Sequence, residues 1–323
     1  MKTFLITGVA GQLGHDVANE LISRGHNVTG TDLAASYSGI NDESPVTKAP
    51  YISLDITDKK AVKEAITKIK PDAVIHCAAW TAVDAAEDDD KKDKVVAVNE
   101  GGTRNIALAC KESGSVMTYI STDYVFNGQG TTPWKPDCKT YAPLNVYGKT
   151  KLSGELAVSE NLDKYFIVRI AWVFGLNGNN FIKTMLKVGK THDEVRVVND
   201  QIGTPTYTKD LAILLSDMNE TEKYGYYHAT NSEIDPSHGE FTKEGTKTGY
   251  ISWYDFAKEI YRQAGYTTKV TPVTSAEYGL SKAARPVNSR LDKSKLVEMG
   301  FTPLPLWSDA VARYLKEIDI SML

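Results

Sequence analysis

The sequence predicts an α/β protein built on a doubly wound parallel sheet, with a smaller, partly interleaved C-terminal unit. Three observations carry this. Short apolar runs alternate with amphipathic stretches of helical length, the pattern of strand–helix crossovers feeding a parallel sheet. The first run, Thr3 to Thr7, opens directly into a glycine turn. After about Phe174 the rhythm loosens. At 323 residues, about two domains are expected on a prior of ~150 residues each. The boundary is drawn to give one domain over 1–174 and a second over 175–323, partly interleaved with the first.

Taken in order, the expected sheet strands are Thr3 to Thr7, Asn27 to Thr31, Tyr51 to Leu54, Ala73 to His76, Val116 to Ile120 and Phe166 to Ile170. Helical periodicity marks Leu13 to Arg24, Lys59 to Ile69, about Lys94 to Ser113, and Val146 to Glu160. In the second half, helices are expected over Phe181 to Val188, Lys209 to Asn219, Trp253 to Ala264 and Trp307 to Ile318. Strands are expected at Val195 to Val198 and Tyr226 to Ala229. No internal repeat is visible. The mixed-charge run from Glu87 to Lys94 reads as a solvated helix start or loop. The stretch from Ser232 to Gly249 reads as an exposed loop or hairpin, with a lid as its functional alternative.

Composition excludes several classes. Lys plus Arg number 37 against 41 Asp plus Glu, a formal charge of -4. That balance offers no basic footprint for nucleic acid or anionic lipid. Cys77, Cys110 and Cys138 match neither a disulfide framework nor a metal knuckle, and read as buried or incidental thiols in a reducing cytosol. The N-terminal apolar run is too short for a signal peptide, and nothing approaches the ~20 apolar residues of a spanning helix. A cytoplasmic globular protein is expected.

The turn Gly8-Val9-Ala10-Gly11-Gln12-Leu13-Gly14 stands between the first strand and the first helix. Gly8 permits a tight turn, Gly11 lets a pyrophosphate approach the backbone, and Gly14 allows close helix–strand packing. The helix N-terminus adds free N–H groups and a positive dipole end. The first gap is one residue longer than in the usual dinucleotide fingerprint. Residues 1–174 are therefore expected to be a dinucleotide-binding, Rossmann-type domain and 175–323 a substrate domain. Asp32, ending the second strand, is placed to accept hydrogen bonds from the adenosine ribose and to repel a 2′-phosphate. No Arg or Lys follows before Lys48. NADH is thus slightly favoured over NADPH. Asp55, ending the third strand, is a candidate partner for adenine, or else a helix cap.

Tyr147 and Lys151 stand four residues apart on an expected helix, hence on one face. A phenol with pKa ~10 needs a neighbouring cation to act as an acid–base group near neutrality. The same spacing occurs at Tyr254/Lys258 and Tyr278/Lys282, which read as surface and packing residues. Thr122 ends the fifth strand, where its hydroxyl can orient a carbonyl beside the phenol.

The ordered set of glycine cradle, His76-Cys77-Ala78-Ala79, Ser121-Thr122-Asp123-Tyr124-Val125-Phe126 and Tyr147-x-x-x-Lys151 resembles the extended short-chain dehydrogenase/reductase superfamily. Within it, the chain is similar to the dTDP-4-dehydrorhamnose reductase family. This rests on Ala79-Trp80-Thr81-Ala82-Val83-Asp84, the segment Pro143 to Lys151, Arg169 to Gly175, Asn179-Asn180-Phe181, Asp200 to Thr206, Arg285-Pro286 and Leu291-Asp292. The resemblance implies reduction of the 4-keto group of a dTDP-linked 6-deoxy-hexulose by NADH or NADPH, giving dTDP-L-rhamnose. It implies Tyr147 as proton donor, Lys151 depressing its pKa and holding the nicotinamide ribose, and Thr122 at the carbonyl. Gly11, Gln12 and Leu13 would line the pyrophosphate, Asp55 and Ile56 flank adenine, and Ala78, Ala79 and Trp80 line the cofactor channel. Thr122, Asp123, Tyr147 and Trp172 would meet the sugar. Some relatives are magnesium-bridged dimers. Asp16 stands where their glutamate would be, so the sequence signals no metal and leaves magnesium and a homodimer open. Alternatives are an epimerase or dehydratase of the superfamily, and a non-catalytic regulatory subunit of methionine adenosyltransferase. A dehydratase needs a carboxylate where this chain has Tyr124.

Overall fold

The computed structural model describes residues 1–233 and 249–320. Most of the polar stretch expected between Ser232 and Gly249 lies outside the described residues. The first half alternates strands and helices: β1 (Thr3–Thr7), α1 (Gln12–Ser23), β2 (Asn27–Asp32), β3 (Tyr51–Ser53), α2 (Lys59–Ile69), β4 (Ala73–His76), α3 (Lys92–Val96), α4 (Thr103–Ser113), β5 (Val116–Thr122), α5 (Val146–Ser159) and β6 (Tyr165–Ile170). After β7 (Val173–Phe174) come α6 (Phe181–Gly189), β8 (Glu194–Val198), β9 (Ile202–Gly203), β10 (Thr206–Tyr207), α7 (Thr208–Asn219) and β11 (Gly225–His228).

β11, β6, β5, β4, β1, β2 and β3 form one parallel sheet in that order. The chain runs outward from β1 through β3, then returns to lay β4 on the other side of β1. That reversal makes the crevice beyond the carboxyl ends of β1 and β4 the place where such sheets bind ligands. Period-two alternation sends neighbouring side chains to opposite faces. Phe4, Ile6, Ile75 and Val168 pack with Val17, Leu21, Leu211 and Leu215 of α1 and α7. Leu5, Val74 and Ile167 pack with Val62, Ile66, Ile106 and Cys110 of α2 and α4. β11 and α7 both lie past residue 174, and they complete the first sheet and its covering layer.

The helix expected over Lys94 to Ser113 is interrupted. Between α3 and α4 the chain makes a π-helical turn, Ala97–Gly102. A Cβ on Gly102 would stand 2.6 Å from the Ile56 side chain, so the turn brings the backbone against β3's end. It also turns Asn99 inward. Further along, β12 (Ile251–Ser252), α8 (Trp253–Ala264) and β13 (Lys269–Val273) follow, with β13 pairing in parallel to β8. Ser252 opens α8 with a capping box to Asp255. A separate apolar cluster of Phe174, Ile182, Leu186, Phe256, Ile260 and Tyr314 forms the core of this part. No helix among the described residues is long and apolar enough to cross a membrane.

Candidate active site

A cleft of about 690 Å³ opens at the topological reversal, lined from both halves of the chain. Its floor is the glycine turn. Gly8 has φ +68°, a conformation that costs little only without a Cβ, and a Cβ there would meet the Ala78 nitrogen at 2.7 Å. Gly14 is pressed harder still: its Cβ would lie 2.2 Å from the Gly8 carbonyl oxygen. Gly11 is different. It is the N-cap of α1 in ordinary extended backbone and meets only the Gly8 oxygen, at 3.2 Å. The three glycines thus hold a turn, an open approach to the helix N-terminus, and a close helix–strand contact. A dinucleotide pyrophosphate fits this cradle on backbone geometry alone.

Gln12 and Leu13 line the same floor, and Asp32 and Asp55 with Ile56 line the far end. The Asp32 carboxylate accepts from the Ala10 N–H at 3.1 Å and the Leu33 N–H at 2.8 Å, which fixes it beside the cradle. Asp55 is exposed and accepts from the Thr57 N–H and hydroxyl. Asp58 caps α2 through the Lys60 and Ala61 N–H groups, so Asp55 is not that helix's cap. Ala78 and Ala79 line the cleft. Trp80 turns elsewhere, its indole N–H donating to the Ala82 carbonyl at 3.1 Å with the Lys94 ammonium near its face.

At the other end β5 delivers Thr122 and Asp123, and the first turn of α5 delivers Tyr147. Asn145 caps α5 by accepting from the Gly148 N–H at 2.7 Å, and the Glu87 carboxylate accepts from the Val146 N–H at 2.7 Å. Glu87 is therefore a helix-terminus partner and not merely part of a solvated run. The Thr122 hydroxyl lies beside the Tyr147 phenol in the cleft lining, while it donates to the Asp123 carboxylate and accepts from the Tyr124 N–H. Burial pushes that phenol above its ordinary value, with Thr122 pulling the other way and the Asp123 charge adding to the rise. The expectation that Lys151 sets the phenol's pKa is corrected here. Lys151 donates to the Ile120 carbonyl at 2.6 Å, and its own pKa is lowered to about 7 by burial, with the Glu155 charge opposing. The Tyr147 phenol is consequently in the protonated form that a donor requires.

Glu155, one turn beyond Lys151, is fully buried against Arg169 at 2.8 Å and accepts from the Ser121 hydroxyl at 2.5 Å. A buried pair with its remaining lone pairs satisfied tolerates its desolvation, and here it sits directly behind Thr122. Asp123 is 1% exposed. Its Oδ1 accepts from Thr122, while Oδ2 has no partner. Burial pushes the Asp123 carboxyl up to about 6.

Trp172 lines the cleft with φ +51°, a strained value for a bulky residue. The strain is held by Thr206, whose N–H donates to the Trp172 carbonyl and whose hydroxyl donates to Ala171. Its ring stacks on Trp253 at 3.9 Å between centroids.

Sequence reasoning missed Trp253 and Asn99. Asn99 accepts from the Trp80 N–H at 2.8 Å and donates to Thr150 at 3.1 Å, joining the Ala78–Trp80 strand exit to α5. The adjacent Gly101-Gly102 pair was its only signal. Asp16 is buried with Oδ1 on His15 and Oδ2 accepting from Thr208 at 2.5 Å. No three His, Cys, Asp or Glu side chains converge as a metal site among the described residues.

The family model of the RmlD substrate binding domain matches residues 1–320. The chain is 38% identical over 315 residues to dTDP-4-dehydrorhamnose reductase of Streptomyces griseus, covering 95% of this chain and 91% of that protein. It is 36% identical over 317 residues to the spore coat polysaccharide biosynthesis protein SpsK of Bacillus subtilis (strain 168), covering 98% of each. Its structure superposes on dTDP-4-dehydrorhamnose reductase from Bacillus anthracis str. Ames in complex with NADP with a TM-score of 0.83, at 36% identity, over 98% of this chain and 100% of that one. A parallel sheet bearing a glycine cradle, matched from end to end by these proteins, places the chain in the dTDP-4-dehydrorhamnose reductase family of oxidoreductases.

Proposed function

We propose that this protein reduces the 4-keto group of dTDP-4-dehydro-6-deoxy-L-mannose to give dTDP-L-rhamnose, using NADH or NADPH, with Tyr147 as proton donor. The observation that carries this is the Thr122–Tyr147 hydroxyl pair, set at the sugar end of a cleft whose floor is a dinucleotide cradle. When bound, the reduced nicotinamide supplies hydride to C4. Tyr147 donates its phenolic proton to the C4 oxygen as that oxygen gains charge, and general-acid donation of this kind contributes about 10²–10⁴-fold. Thr122, beside the phenol in the cleft lining, orients the carbonyl toward it. Lys151, on the same helix face, reaches the nicotinamide ribose. Asp123 offers its unpartnered Oδ2 to a sugar hydroxyl, and Trp172 covers the apolar face of the ring.

Asp32 supports NADH as the preferred cofactor, because a carboxylate tied to two backbone N–H groups cannot swing away from a 2′-phosphate. The protein acts on a small nucleotide-sugar, and neither a magnesium ion nor a second copy of the chain is needed for any step above. Tyr124 in place of a carboxylate disfavours the dehydratase alternative. The intact Thr122, Tyr147 and Lys151 set disfavours a non-catalytic regulatory subunit.

The test is oxidation of NADH and of NADPH, followed by absorbance, with the 4-keto sugar nucleotide generated in situ, with and without magnesium. Stoichiometric cofactor consumption with formation of dTDP-rhamnose is the expected result, faster with NADH. Tight cofactor binding without net consumption would overturn the reductase reading in favour of an epimerase or a regulatory subunit.

A further inference from the structure

The helix that carries Tyr147 and Lys151 lies as close to β5 as a glycine permits. A Cβ on Gly154 of α5 would stand 2.2 Å from the Tyr119 hydroxyl oxygen. Three consecutive residues of β5 then hold that helix. The Tyr119 hydroxyl donates to the Lys151 carbonyl at 3.2 Å, and the Ile120 carbonyl accepts from the Lys151 ammonium at 2.6 Å. The Ser121 hydroxyl donates to the Glu155 carboxylate at 2.5 Å. The next residue of the strand is Thr122. Tyr147, Lys151 and Glu155 are spaced four residues apart, so they lie on one face of α5.

Of the three contacts, only the last joins side chain to side chain, and it is locked from behind. Arg169 of β6 stands opposite Ser121 in the sheet register and gives Glu155 two bonds, from Nε and Nη2, each at 2.8 Å. A bidentate guanidinium–carboxylate pair fixes direction as well as distance. Arg169 Nη1 donates to the Pro136 carbonyl, and Nη2 also donates to the Tyr141 hydroxyl, each at 3.0 Å. Both partners lie on the loop that leads from β5 to α5. The group is shut from water, with Glu155 and Arg169 at 0% exposure and Ser121 at 2%. A buried ion pair is weak evidence of stabilisation, because desolvation offsets most of its attraction. Its value here is geometric.

We infer that Glu155 is a positioning residue: held between Ser121 and Arg169, it fixes the height of α5 on β5 and with it the placement of the Tyr147 phenol beside Thr122. The inference rests on the reductase reading. It assigns Glu155 no contact with sugar or cofactor, and its effect passes through the strand residue next to Thr122. A misplacement on the order of 1 Å at the reacting groups costs about 10²-fold in rate. A helix free to slide on its strand supplies such a displacement.

The experiment measures steady-state reduction by Ser121→Ala, Ser121→Thr, Glu155→Gln and the Ser121→Ala/Glu155→Gln double variant, each well below its own Tm. NADH binding is followed by fluorescence. Glu160→Gln, an exposed carboxylate just past the end of the same helix, is the control and should behave like wild type. Ser121→Ala should lower kcat by about 10-fold and Glu155→Gln by about 10- to 100-fold, the scale of misplaced reacting groups. The KM for the sugar nucleotide and the NADH dissociation constant should stay within about threefold, because the loss falls on the transition state. Ser121→Thr keeps the hydroxyl and should recover most of the rate. The isotope effect from 4-deuterated NADH should rise in the slow variants, since chemistry in place of product release then limits turnover. The double variant should be no slower than Glu155→Gln alone, because both break the same linkage. A purely structural role would lower Tm and leave kcat of the folded protein unchanged, and that result would overturn the inference. Losses that multiply in the double variant would overturn it as well. If Glu155→Gln does not fold, the Ser121 variants decide alone, and equal rates in Ser121→Ala and wild type would overturn it. An inactive wild type would instead overturn the reductase reading, and this inference with it.

Discussion

The ammonium of Lys151 is held by the carbonyl oxygen of Ile120, 2.6 Å away, on the strand that ends in Thr122. It also lies 4.1 Å from the centre of the Tyr119 ring. The titratable groups around it are His76 and Cys77 on the β4 side, Tyr119 on β5, and Tyr147 and Glu155 on its own helix. The imidazole is kept neutral by burial, with its pKa lowered to about 3, and the thiol is pushed up to about 12. Glu155 is committed to Arg169. Lys151 thus titrates near neutrality, at about 7. Ribose hydroxyls bind an ammonium better than an amine, so NADH affinity should weaken as pH rises above about 7, and Lys151→Met should abolish that dependence. Calorimetric titration in buffers of different ionisation enthalpy checks this. A wild-type affinity flat from pH 6 to 9 would refute it. For stability the sign is opposite to a paired lysine: a base with a lowered folded pKa leaves stability rising with pH between about 7 and its ordinary value. Lys151→Met should therefore raise Tm at neutral pH while reducing turnover.

Tyr147→Phe removes the donor and nothing else from the cleft. Turnover should fall by about 10²–10⁴-fold while the cofactor dissociation constant stays within twofold, because the loss is confined to the transition state. Tyr254 sits beside Lys258 on α8, and Tyr278 is 38% exposed. Both stand outside the cleft, and their Phe variants should turn over normally.

The two glycines of the cradle should fail differently. Gly14→Ala drives a Cβ into the Gly8 carbonyl, where neither backbone can yield. Thermal unfolding should show a loss of several kcal/mol, the scale of severe overpacking. Gly11→Ala places its methyl 3.2 Å from the Gly8 carbonyl oxygen, one tight contact and no other, at an ordinary φ of -80°. Its Tm should be near wild type, yet its NADH affinity should drop by an order of magnitude or more, since the methyl occupies the anion's approach.

The sheet was legible because β1, β4, β5 and β6 are buried almost throughout, and a largely apolar run has few other homes in a chain this size. β11 was legible as a strand but not in its place: Tyr226 and Tyr227 pack on opposite faces of the edge, and nothing local says which edge. β13, Lys269–Val273, was missed. Its Pro272 and mostly half-exposed pattern resemble a loop until β8 pairs with it. The break after α3 was hidden because Val95, Val98 and Ile106 keep a helical period through the π turn. In the site, residues carried by a motif were legible, whereas Trp253 reaches the cleft from distant sequence through packing alone. The pKa of Tyr147 was misjudged for a related reason: spacing reports that Lys151 is on the same face, not that Ile120 holds its ammonium.

Asp123 makes the cost of the site measurable. Its carboxyl is buried among Thr122, Ser289 and the phenols of Tyr124 and Tyr147, with Oδ2 unpartnered and a pKa of about 6 against an ordinary 3.8. An acid whose folded pKa is raised contributes stability that is fully present below about pH 4 and lost as pH rises through about 6. Above that, folding must bury an ionised group, at a cost of about 3 kcal/mol for a shift near two pH units. Asp123→Asn escapes this cost. Its stability relative to wild type should therefore increase between pH 4 and pH 8 by about that amount, read from denaturant unfolding at each pH. A constant difference across that range would show that Asp123 is not buried as an uncompensated carboxylate. The same variant should bind the sugar nucleotide more weakly at pH 8, because an amide cannot replace an ionised acceptor facing a hydroxyl. Stability gained where binding is lost is the signature of a group retained for its chemistry.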